Sequence, residues 1–220
     1  RVEARLPFLD HLVPDDRLRL REMALAFLGC KEFHGAQGLE LDDDMLLAIA
    51  LQACLPVLHI GLQAYEGWVG VIVYPGDFLI PRRIVDEAGV LHEYEDEVLG
   101  EAWAGGPVLL SWFPGNDAPA GVNVVIHEFA HKLDMENGDV DGLPRLRPGM
   151  SRRDWAKAFG EAEAICQAQY PECGCPAGPA TAILLGLALL HGVVSWARLR
   201  RLEMASTPHE RHRAIPGSGA

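Results

Sequence analysis

Apolar residues recur at helical spacing in the first quarter of the chain. Leu18, Leu20, Met23, Leu25, Phe27 and Leu28 give a buried side to a helix that Pro14-Asp15-Asp16 opens and that runs to about residue 28. After a loop over residues 31–38, Asp42-Asp43-Asp44 starts a second helix, with acids at its positive end, which continues to near Pro56. The period then shortens. Residues 69–80 (VGVIVYPGDFLI) are rich in β-branched side chains around Pro75-Gly76 and predict a strand, a turn and a strand. Residues 84–100 are acidic and read as a solvated strand or loop, and residues 107–112 (PVLLSW) as a short apolar strand. Helical spacing returns in a third helix from Val124. Asn123 is its N-cap and Asn137-Gly138 its stop, since both tolerate a left-handed backbone. A fourth helix runs from Ser151 to about residue 169, with Trp155, Phe159 and Ile165 on its buried side. The helices and strands up to residue 169 suit one compact domain, with a small appendage after it.

The character changes near residue 170. A Pro-, Gly- and Cys-rich stretch leads into residues 180–197 (ATAILLGLALLHGVVSWA), which hold no charge. That run has nearly the length of a membrane span, but Gly186, His191, Gly192 and Ser195 make a buried helix the better reading. Residues 207–220 read as disordered, so 170–220 forms a divergent C-terminal segment. With 220 residues, the chain is long enough to bury a real core. Its formal net charge of -12 repels phosphate backbones and argues against nucleic-acid binding. Five cysteines without a framework pattern, and no signal-peptide pattern in the charged, proline-broken residues 1–16, fit a cytoplasmic protein.

The chemistry concentrates in the third helix, as His127-Glu128-Phe129-Ala130-His131. Residues four apart on a helix share a face, so His127 and His131 present two imidazoles to one ion. Glu128 stands one step round, at the rim of that face. Two neutral imidazole ligands with an adjacent carboxylate base are the arrangement of zinc peptidases. Asp134 shares the ligand face and reads either as an acid that orients a ligand imidazole or as a surface acid at the helix end. In zincin-type enzymes a strand near the metal helix pairs with extended substrate; that role falls here on Leu109, Leu110 and Ser111. His34 reads as a surface histidine and His92 as a weak ligand candidate.

Several separated stretches carry a resemblance. They are LPFL at 6–9, GLELDDDM at 38–45, QACLPVL at 52–58, VYPGDF at 73–78, VDEAGVLHEYEDEV at 85–98, GPVLLSW at 106–112 and NVVIHEFAHKLDMENGD at 123–139. Over about residues 6–160 the chain resembles the Mlc titration factor A family, bacterial cytosolic zinc metallopeptidases of the gluzincin type. The resemblance implies a zincin-like α+β fold akin to the anthrax lethal factor catalytic domain. It implies one zinc ion and peptidase action on short peptides, aminopeptidase action included. It also implies a protein partner, a glucose-responsive transcriptional repressor that the family's namesake binds and sequesters. His127 and His131 match the family's zinc ligands and Glu128 its general base, while Asp134 and Asn137 fall on its HKLD and NGD positions. The metzincin pattern is excluded, because Asp134 stands for its glycine and Asn137 for its third histidine.

The chain departs from the family after Gly160. The family's third ligand is a glutamate on a later helix, in a segment resembling DPAEFFAVLSEYFF, and no such segment occurs here. The substitutes available are His191, Glu203, His209, Glu210 and His212, with Glu161 and Glu163 on the preceding helix. No third ligand is assigned among them. Two further readings follow from that gap: a non-catalytic regulatory binding protein, and a frameshifted product with an incomplete zinc site.

Overall fold

The computed structural model describes residues 2–160 apart from 87, 114–122, 139–141, 147–148, 150 and 158–159, and at 8 and 11 the main chain only. Two 3-10 turns, Glu3–Arg5 and Pro7–His11, lead into helix α1, Pro14–Cys30. Leu20, Ala24 and Phe27 form its buried stripe at helical spacing, whereas Leu18 and Leu25 lie off that stripe and face solvent. Strand β1, Glu32–Gly35, follows directly, where the sequence predicts loop. Helix α2, Asp43–Cys54, is capped by Asp42, whose carboxylate accepts the Met45 N–H at 2.8 Å. The acidic triplet is thus a helix start.

Strands β2 (Gly70–Tyr74), β3 (Phe78–Val85), β4 (Leu91–Val98), β5 (Gly100–Ala102) and β6 (Val108–Ser111) complete the sheets, and α3 (Val124–Asp134) follows. The main sheet has the order β1-β2-β6-β5: the first three strands are parallel and β5 is antiparallel to β6. The residues at 69–80 do form two strands, but these do not pair with each other. Instead β3 turns away to make a separate antiparallel hairpin with β4, from Phe78↔Val98 to Val85↔Leu91.

Side-chain alternation explains both layers. On β2, Val71 and Val73 enter the main core with α1, α2 and α3, while Ile72 and Tyr74 point to the opposite face. There Phe78 and Ile80 of the hairpin meet Leu109. Strand β6 is buried along its whole length because it has layers on both sides and strands on both edges. The start of the fourth predicted helix is present at 152–157, with Ser151 accepting the Asp154 N–H at 3.0 Å and Trp155 buried. No helix among the described residues is long and apolar enough to cross a membrane. The predicted apolar helix at 180–197, the tail at 207–220 and every substitute third ligand lie outside the described residues.

Candidate metal centre

Helix α3 is fixed at both ends and along one face. Asn123 Oδ1 accepts the Ile126 N–H at 3.0 Å, and the same side chain donates through Nδ2 to Gln52 Oε1 at 2.8 Å. Gln52 is buried and donates in turn to the Ala48 carbonyl at 3.0 Å, so α2 orients the amide that caps α3. The helix ends in a 3-10 turn, Met135–Asn137, and Gly138 takes a left-handed φ of 96°. Phe129 anchors the middle, meeting Tyr65, Phe27 and Trp68 at ring-centroid distances of 5.3, 5.6 and 5.8 Å.

The opposite side carries the imidazoles. Their Nε2 atoms stand 3.1 Å apart, with rings 4.8 Å between centroids and 79° between planes. Two nitrogens, each about 2.0–2.1 Å from one tetrahedral zinc, stand roughly 3.3 Å apart, so the pair is set for a shared ion. Burial lowers the proton affinity of both rings, and His131 lowers that of His127 further. Neutral imidazole is the form that binds metal. Asp134 opposes this at His131, where its charge raises the proton affinity. Asp134 is fully buried, which removes the surface-acid reading. His131 Nδ1 is buried and has no hydrogen-bond partner among the described residues. The donor chemistry fits zinc as far as it goes: among the described residues, no third His, Cys, Asp or Glu joins the pair to make a group of three.

Glu128 lies 5% exposed against β5. Burial raises its carboxyl to about 8, helped by the nearby Glu101 charge and opposed by a hydrogen bond from the Ala102 N–H. Glu101 is itself held by Arg82 Nη1 at 2.7 Å. The contact with β5 requires glycine at position 100. A Cβ there would stand 2.6 Å from Glu128 Cγ and 2.8 Å from both Glu128 Oε1 and Val124 Cγ1. One turn on, Lys132 is 5% exposed and donates to the carbonyls of Trp103 at 2.7 Å and Gly106 at 2.8 Å. Its ammonium lies 4.6 Å from the Trp68 ring centroid, which Lys31 also approaches at 3.8 Å. Burial, and then repulsion from Lys31, lower the Lys132 amine to about 8.

The structure corrects the substrate-strand expectation. Leu109, Leu110 and Ser111 belong to β6, and both main-chain edges of that strand are taken. Leu110 packs in the main core, Leu109 under the hairpin, and Ser111 is buried. The outer strand beside α3 is β5. Ser111 N–H bonds the Leu99 carbonyl and Trp103 N–H the Pro107 carbonyl, which turns Gly100 and Ala102 main-chain groups away from β6. His34 is exposed, and His92 bonds Asp86 at 2.8 Å on the hairpin; neither joins the centre. Sequence reading missed Gly100, Lys132 and Gln52. Lys132 left one signal, a lysine four positions after Glu128 on a helix face otherwise buried.

Comparison with known proteins gives relatives and a family. The chain is 39% identical over 144 residues to Mlc titration factor A of Klebsiella pneumoniae (strain 342), covering 64% of this chain and 54% of that protein. It is 38% identical over 142 residues to Mlc titration factor A of Salmonella arizonae, covering 63% and 57%, and 37% identical over 142 residues to that of Salmonella typhi, covering 63% and 54%. The chain therefore spans little more than half the length of these relatives. Residues 1–173 match the profile of the glucose-regulated metallo-peptidases M90, and the chain belongs to that family.

Proposed function

We propose that the chain is a zinc-dependent peptidase of cytoplasmic location, built on a zincin-like fold akin to the anthrax lethal factor catalytic domain. The observation that carries the reading is the pair of Nε2 atoms 3.1 Å apart with the buried Glu128 carboxyl beside them, in a metallopeptidase family. His127 and His131 would hold the ion, together with a third ligand that is not assigned, and the Asp134 charge raises the proton affinity of His131. A bound zinc ion would supply the positive charge that lowers the pKa of a water and favours the ionised Glu128 carboxylate beside it.

Glu128 then takes a proton from the attacking water and hands it to the leaving amine. Ala102 N–H steadies the carboxylate that does so. The outward main-chain groups of Gly100 and the Ala102 carbonyl, beside Glu128, give an extended peptide an edge to pair with. Replacing Glu128 by Gln tests the reading directly. Zinc is retained and cleavage of short peptides, assayed with both N-terminally free and blocked substrates, falls at least a hundredfold; undiminished cleavage overturns the assignment.

A second reading has its own support in the relatives' name. In it the chain binds a transcriptional repressor of the Mlc kind and cleaves nothing. Repressor binding that persists in His131→Ala, beside a parent protein without cleavage, distinguishes it.

A further inference from the structure

Glu128 and Lys132 are four apart on α3 and so face the same way, toward β5 and the turn that joins it to β6. Glu128 receives the Ala102 N–H. Lys132 takes the carbonyls of Trp103 and Gly106, which flank that turn and are themselves joined by the Gly106 N–H to Trp103 O bond of 3.0 Å. The helix thus grips one short strand and its turn at two consecutive points. The grip is close: Gly100 leaves no room for a Cβ against Glu128.

Burying an ammonium is costly unless every donor is used, and an apolar side chain of similar length would fill the volume at less cost. Lys132 uses its donors on two carbonyls and the Trp68 face. A three-residue outer strand has few ladder bonds of its own to hold it, so its placement depends on such outside ties.

We propose that Lys132 is a positioning residue for Glu128: by clamping the β5–β6 turn it holds the Ala102 N–H and the Gly100 main chain against the Glu128 carboxyl. The inference rests on the reading of Glu128 as the base, and its test separates the two. Lys132→Met removes the donors and keeps the volume. Lys132→Gln keeps a shorter donor and serves where the apolar variant does not fold. In the zinc-loaded full chain, kcat falls at least tenfold in Lys132→Met with KM changed less than threefold and zinc content unchanged, and Lys132→Gln lies between it and the parent. In the metal-free chain, amide hydrogen exchange at Ala102 accelerates at least tenfold while that of Leu110 in β6 stays within twofold. A folded variant with both kcat and Ala102 exchange within twofold of the parent overturns the proposal. So does failure of both variants to fold, since Lys132 then serves the whole domain. If the parent cleaves no peptide, the peptidase reading fails and Ala102 exchange alone decides the role of Lys132.

Discussion

Glu128 lies between the Gly100 main chain and the Ala102 N–H, and its burial beside Glu101 sets how strongly it keeps its proton. Its folded-state carboxyl, at about 8, stands above the ordinary 4.5. A group raised in this way is no burden below the unfolded value, and it destabilises increasingly as pH rises from there through the folded value. Glu128→Gln therefore stabilises the metal-free protein progressively from about pH 4.5 and levels off above about pH 8. At about 1.36 kcal/mol per pH unit, the upper bound is of order 5 kcal/mol. Denaturant unfolding at pH 5, 7 and 9 checks the sign: a gain that is the same at all three pH values contradicts the burial of an ionisable carboxyl here. Gly100→Ala acts on the same contact from the other side. The added Cβ displaces Glu128, at an overpacking cost of about 1–3 kcal/mol, and lowers turnover with zinc retained. Steady-state kinetics with parallel metal analysis measure it, and unchanged turnover means that Glu128 works from a different position.

Helix α3 was legible because its signals are local. Asn123, Asn137-Gly138 and the i, i+4 histidines lie within sixteen residues of one another, and each acts through the backbone next to it. The strands were less legible because their roles are set by neighbours far along the chain. Glu32–Gly35 is short, polar and mostly exposed, and becomes a strand only by pairing with β2. Leu109, Leu110 and Ser111 form the strand that was foreseen, but the sequence does not reveal that β2 and β5 flank it on both edges. The same distance effect hid Gln52, seventy-one residues from the cap that it orients. Two variants test what holds α3. Phe129→Ala empties the space among Phe27, Tyr65 and Trp68 and costs about 3–5 kcal/mol. Asn123→Ala removes the cap bond and the bond to Gln52, and costs about 2 kcal/mol. Thermal or denaturant unfolding should rank them in that order, and the reverse order would mean that the helix is held by its cap rather than by its aromatic anchor.

At the scale of the whole molecule, the helical layer and the hairpin layer enclose the main sheet from opposite faces, and the metal helix lies on the outer β5 side of the helical layer. This places the histidine helix beside β5, whose outer edge pairs with no other strand among the described residues. Membership of the M90 family and the paired imidazoles point to the same metal chemistry. The proposed centre requires a metal held by His127 and His131 with a third, unassigned ligand. Zinc stoichiometry by elemental analysis of the purified full chain, with His131→Ala beside it, tests that claim most directly. The account predicts close to one zinc per chain in the parent and little in the variant. An absence of zinc in the parent after reconstitution, or equal zinc in both proteins, would contradict it.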